Sequence, residues 1–330
     1  MNAMAGAALA FDLGPRALII ALVRGMSVAA AFSLLGTLVF AIVLLPMIMP
    51  TAPAPVADLH HPVLRRLLWI SISVSGSALL AWLVLEAADL AEAESIGQAF
   101  ATVPKVLLVT VFGHVIALQL LMLAAATLIL AGLRQRWGYI LAAAFAAILV
   151  ALEAGHTHAL AMHFGPSFLL TSQVVHLLAG AVWLGGLLPL LLFVHALPVY
   201  SGAKLAWRFS PIGAGCVLAL ATTASYQGWV LVGGLRGLST TAYGLMALVK
   251  ISLFFALLCF AAINRFYFTP ALSGGRAEIA KSRIVFSIGV EAGLGLCIVL
   301  AAGVLSTLPP GMHMNMEMFR ESVRYARLFP

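Results

Sequence analysis

Three histidines, His156, His158 and His163, fall within eight positions of one another, just after Glu153. Neutral imidazole is a good ligand for copper, zinc, iron and nickel. The His156-x-His158 spacing on a loop presents two nitrogens to one ion. The plainer account of the same residues is that they cap a helix end at a membrane interface. A second pair, His114 and His176, lies inside long apolar runs, where ionisable groups are costly and turn toward the interior of a helix bundle. Each stands nine residues past a point where its run begins on the same side, Lys105 and Ser167 respectively. That predicts a shared depth of roughly 13 Å at 1.5 Å per residue. Two histidines at one depth could share a metal or clamp a haem, or each could bond separately to a neighbouring helix.

Soft donors follow near the end of the sequence, in Met312-His313-Met314-Asn315-Met316-Glu317-Met318. Thioether sulfur selects Cu(I) over harder ions. On a helix, Met312 with Met316 and Met314 with Met318 share a face, and His313 sits three residues before Met316. With Phe319, Tyr325 and Phe329 the segment also reads as an amphipathic strip at a lipid surface, and the two readings are compatible. Lys250 and Glu291 lie at matching depths in successive antiparallel runs, which predicts an intramembrane ion pair. Trp183 comes seven residues after His176 and shares its helix face. Gly185-Gly186 then permit close helix approach.

The elements that must position these groups are membrane helices. Of 330 residues, 63% are hydrophobic and 9% charged, against roughly a quarter charged in soluble domains. Apolar runs cover about 17–49, 65–90, 103–133, 138–160, 167–197, 205–234, 240–268 and 283–308. Each is long enough for a span of about 20 residues and must be helical, because an isolated segment in lipid satisfies its own backbone hydrogen bonds. The reading is an all-α polytopic bundle of about eight transmembrane helices with an amphipathic C-terminal tail. Its segments are 1–136, 137–310 and 311–330.

Counting Lys and Arg with the N-terminus outside gives ten in the inner loops and seven in the outer segments, Arg24 among the latter. This favours N-out, C-out and puts the histidine and methionine clusters on the outer side. The N-terminus lacks the basic region of a signal peptide. Cys216, Cys259 and Cys297 sit in apolar runs without a Cys-x-x-Cys pair and read as packing residues. The net charge of +7 is scattered, with no basic stripe, so nucleic acid is not an expected partner.

One stretch is more specific. It runs Glu153-Ala-Gly-His156, then His176-Leu-Leu-Ala-Gly-Ala-Val-Trp183-Leu-Gly185-Gly186-Leu-Leu-Pro189, Arg208-Phe-Ser, Tyr243-Gly, Lys250, Asn264-Arg265, Glu291-Ala-Gly and Leu305-Ser-Thr-Leu-Pro-Pro. Over about 140–310 this order resembles the bacterial copper resistance protein D family (CopD/PcoD), inner-membrane proteins of about eight helices. The resemblance implies copper movement between periplasm and cytoplasm beside a periplasmic partner of the CopC type. It carries His156, His176, Trp183, Lys250, Asn264 and Glu291 as family-like polar positions. His114 and Gln119 depart from it where relatives more often show arginines, and Thr222-Thr223-Ala224 stands where Thr-Gly is usual.

The expected function is therefore copper binding and transfer at the inner membrane, with no enzymatic activity. Copper would meet Met312, His313, Met314, Met316, His156, His158 and His163, then His114 and His176. Glu153, Trp183, Lys250, Asn264 and Glu291 are further functional positions. Two alternatives stand beside it: a b-type cytochrome with haem between His114 and His176, and a factor delivering copper for oxidase assembly. No P-loop, acyl-phosphate aspartate motif or inner Cys-x-x-Cys receiver is present.

Overall fold

In the computed structural model the described residues are 14–48, 61–133, 135–156, 166–232, 234–274 and 276–309. His158, His163 and the methionine tail, with Met312, His313, Met314 and Met316, lie outside them. Among the described residues eight helices are long and apolar enough to cross a membrane. They are α1 Pro15–Val39, α2 Pro62–Leu90, α3 Val111–Gly132, α4 Arg136–Leu152, α5 Pro166–Ala196, α6 Val199–Val232, α7 Ala242–Ile263 and α8 Ala277–Leu305. No strand occurs among the described residues. The all-α, eight-span expectation is met.

Local chemistry fixes several ends. Proline opens α1 and α2 within the first turn, where its missing N–H costs nothing. Ser95, Thr110 and Thr241 cap helices by accepting the backbone N–H of Gln98, Gly113 and Gly244. A π-helical turn, Phe40–Leu44, extends α1, and another, Asn264–Phe268, extends α7.

The third apolar run departs from its expected form. A short helix, Ile96–Val109, precedes α3, and the chain breaks at Thr110, which is extended (φ −99°, ψ 146°). The Thr110 hydroxyl donates to the Val106 carbonyl and accepts from Gly113 N–H. A Cβ at Gly113 would overlap the Val106 carbonyl, so only glycine fits where the two helices fold against each other.

Packing centres on α1, which contacts α2, α4, α5 and α8. Small residues let backbones touch. A Cβ at Gly36 would overlap the backbone of Gly185, and one at Gly185 would overlap the Phe32 carbonyl. At the other end of α1, a Cβ at Gly303 of α8 would overlap the Ala21 carbonyl. The Gly185-Gly186 pair thus brings α5 onto α1, as its sequence suggests. Ser71 of α2 donates to Ser33 of α1 at 2.9 Å. Below, the N-side face is the end of the bundle where α1 begins, and the far face is the opposite end.

Gly185→Ala should cost at least about 3 kcal/mol, because the added methyl cannot fit without moving α1. Gly215→Ala, in α6 with nothing within 4 Å of the added carbon, should leave stability unchanged or slightly raised. Melting temperatures of the two detergent-purified variants check this.

Candidate functional site

The polar residues of the bundle converge where α1, α2, α3 and α4 meet near the N-side face. After α4 the chain tightens into a 3-10 turn, Glu153–His156. Glu153 is 2% exposed and Gln119 of α3 is fully buried. Gln119 Nε2 donates to Glu153 Oε1 at 2.8 Å, and Gln119 Oε1 lies 2.9 Å from His156 Nε2. With the amide spending its N–H on the carboxylate, its oxygen must accept, so His156 carries its proton on Nε2. The lone pair is left on Nδ1. A histidine whose ring N–H is held by a polar partner is the usual arrangement behind a metal ligand.

The ring is fixed from other sides too. Trp82 of α2 and Phe112 of α3 pack on it with centroids 4.5 and 5.2 Å away. Arg24 of α1, almost wholly buried, donates from Nη2 to the His156 carbonyl at 2.9 Å and lies 5.1 Å over the Trp82 ring. Arg24 is thus not a loop charge, as the Lys/Arg count treats it, but an interior group that clamps the turn. Trp82 and Arg24 carry no motif of their own. Gln119 shows only as a departure from the family pattern.

Arg24 and Glu153 form part of the wall of a cavity of about 130 Å³. Gln173 of α5, Gln227 of α6, and Tyr243 and Lys250 of α7 line the rest, with apolar residues of α8. Glu153 Oε2 is buried without a hydrogen-bond partner. His176, close by on α5, contacts Thr223 through Nδ1 at 2.9 Å. The Thr223 hydroxyl donates to the Ala219 carbonyl, so it accepts from His176 Nδ1–H, and Nε2 keeps the lone pair.

Two expected pairings do not form. His114 is exposed and lies at the start of α3, where its Nε2 is 3.1 Å from the Leu108 carbonyl. The break at Thr110 places it about three residues, or 5 Å, into its span, not at the depth of His176. Its helix packs on α2, α4 and the short helix, away from Thr223 and His176. The common depth expected of a shared metal or a haem clamp of His114 with His176 is therefore not found. Lys250 and Glu291 also do not pair: Lys250 lines the N-side cavity, whereas Glu291 accepts from Asn264 Nδ2. Among the described residues the ion pair found is Arg16 with Asp89, at 3.2 Å on the surface. No cluster of three His, Cys, Asp or Glu that could enclose a metal occurs among them either.

Comparison with known proteins places the chain in a family. Residues 15–167 match the profile described as copper resistance protein D-like, N-terminal domain, and residues 203–305 match copper resistance protein D. The chain belongs to the copper resistance protein D family. The N-terminal match extends the likeness across the first half, which the motif order alone does not reach. Copper transport protein CutJ of Bacillus subtilis (strain 168) is 27% identical over 139 residues, covering 41% of this chain and 24% of that protein. The inner membrane protein YebZ of Escherichia coli (strain K12) is 26% identical over 143 residues, covering 42% of this chain and 49% of that protein. The chain thus spans a quarter to a half of the curated relatives it matches. No solved structure matches it. Membership and the eight spans support a role in copper handling by this CopD-family chain, a multi-pass protein of the inner membrane.

Gln119→Leu removes the partner of both Glu153 and His156, and buried polar groups left unpaired cost about 1–3 kcal/mol each. Its melting temperature should fall accordingly. His114→Ala, which loses one bond at an exposed helix end, should shift stability by less than about 1 kcal/mol.

Proposed function

We propose that this CopD-family protein receives copper at its N-side face and passes it into the bundle toward the cytoplasm. The observation that carries the reading is His156, whose Nε2–H is held by Gln119 so that Nδ1 keeps its lone pair for a metal, in the same turn as Glu153, which lines the cavity. The soft donors Met312, His313, Met314 and Met316, with His158 and His163, supply capture by their chemistry. His176, with its lone pair on Nε2, is the next station inward. The Lys/Arg distribution supports N-out, C-out, which makes the N-side face periplasmic. A periplasmic copper-binding protein of the CopC type is the natural donor. The Bacillus subtilis relative, named as a copper transport protein, points the same way.

A path must hold an ion firmly enough to accept it and loosely enough to release it. Among the described residues His156 and His176 each offer one oriented imidazole and no three-donor cage encloses a metal, an arrangement that suits transfer better than storage. Delivery to an oxidase under assembly is the second reading, since it needs the same capture chemistry. Cellular copper with and without the gene separates the two: uptake changes total copper, whereas delivery changes oxidase activity at constant copper.

His156→Ala and deletion of 311–330 should each weaken Cu(I) affinity at least about tenfold, a loss of 1.4 kcal/mol or more. His114→Ala should leave it unchanged. Competition against a Cu(I) chelator with the purified protein measures all three. Unaltered affinity in both of the first two variants would sink the capture site.

A further inference from the structure

A second cavity, of about 270 Å³, occupies the other half of the bundle. It is lined by α5, α6, α8 and the far-face half of α7 with its π turn, and it is separate from the cavity of Arg24 and Lys250. Along α5 the two are divided between Leu177 and Trp183, along α7 between Lys250 and Leu258, and along α8 between Glu291 and Val299. Those gaps of six to eight residues correspond to about 9–12 Å. The layer between is closed by packing. Trp183 meets Phe254 edge-on with centroids 6.3 Å apart, and a methyl at Gly295 would lie 3.1 Å from Leu184 Cδ2.

Glu291, 3% exposed, stands at the mid-membrane end of this second cavity on α8, bonded to Asn264, 8% exposed, from the π turn. Asn264 Nδ2 donates to Glu291, and Asn264 Oδ1 is buried with no hydrogen-bond partner. Among the described residues no Lys, Arg or His comes within 4.0 Å of the Glu291 carboxylate. The charged group that shares the cavity, Arg265, donates instead to Ser210 of α6. From α5 and α6 the cavity receives no ionisable side chain. On α1, which also packs against α8, the buried charge is Arg24 at the other cavity.

A buried carboxylate in lipid must be neutralised by a counter-ion or a proton. Here a carboxylate and an unsatisfied amide oxygen face the same space. Hard oxygen donors suit hard cations and hold Cu(I) poorly. The adjoining π turn, Asn264–Phe268, is of a kind frequent at functional positions.

We propose that Glu291 and Asn264 form a binding site for a hard monovalent cation, a proton or a sodium ion, at the head of the far-face cavity, and that this cation drives copper passage. The site gives the chain, which carries no ATP-binding motif, an ion to couple to. The second half of the proposal rests on the transfer reading above. The first half does not.

Trp183 lines the same cavity, so its fluorescence reports occupancy. Full-length protein in nanodiscs, free of copper, is titrated with Na⁺ at fixed pH and with acid in the absence of Na⁺. Subtracting the W183F response isolates Trp183. One of the two titrations should change its emission, and which one identifies the ion. E291Q should lose the response, Asn264→Ala should shift it severalfold to higher cation concentration, and Glu291→Asp should retain it. No response to either ion, or a response that survives in both E291Q and Asn264→Ala, overturns the site. In proteoliposomes, a gradient of the identified ion should accelerate wild-type copper flux several-fold and leave that of E291Q unaffected. Copper flux indifferent to the gradient overturns the coupling. Absent copper flux with an intact Trp183 response overturns the transfer reading, and the coupling with it, but not the site.

Discussion

The direct backbone contact of α1 with α5 and α8 is the constraint on which the remaining geometry depends. In lipid there is no hydrophobic force between helices, so close approach and dispersion must hold them. Gly36 against Gly185, and Gly303 against the Ala21 carbonyl, bring three helix axes nearer than any side chain would allow. Because α1 is held at both ends, Arg24 in its first half is aimed at the turn after α4. The same helix then forms one wall of the N-side cavity. Moving α1 outward by the width of a methyl group would withdraw the guanidinium from His156.

Three of the buried polar contacts share a pattern: a fixed partner is reached and one atom is left uncommitted. Gln119 uses both ends of its amide, on Glu153 and His156, and leaves Glu153 Oε2 unpaired. Thr223 orients His176 and leaves Nε2 its lone pair. Asn264 engages Glu291 and leaves its own oxygen unpaired. Polar networks inside membranes that served stability alone would close on themselves, since an unpaired buried atom is costly. These stop one bond short of closure, and Glu153, Asn264 and Glu291 do so as residues that line cavities.

Sequence makes some of this legible and hides the rest, for physical reasons. Eight spans are readable because apolarity is a property of each residue, and lipid leaves no alternative to helix. Glu153, His156, His176 and Glu291 stand out as polar groups in apolar surroundings. The depth of His114 is misjudged because the Thr110-x-x-Gly113 cap interrupts the run without any loss of hydrophobicity. Lys250 and Glu291 are mispaired because depths measured from helix ends assume straight, untilted helices, whereas side-chain partners are set by rotation and crossing. Arg24 reads as a flanking charge, since its partner is a backbone carbonyl that no side-chain pattern reveals. Trp82 is invisible as a site residue for a similar reason: its role is a ring contact across three helices.

The bond between Arg24 and His156 joins residues 132 positions apart, which has a consequence for biogenesis. The first helix leaves the ribosome long before the turn that will accept its guanidinium has been synthesised. During that interval the guanidinium has no His156 carbonyl to donate to. The Trp82 ring of α2 is the first of its partners to be made, and water, headgroups or the insertion machinery must accept its hydrogen bonds until the fourth span arrives. The hub of the finished bundle is thus the least settled helix of the nascent one, and the fourth span, by bringing that carbonyl, completes its seating in the bilayer.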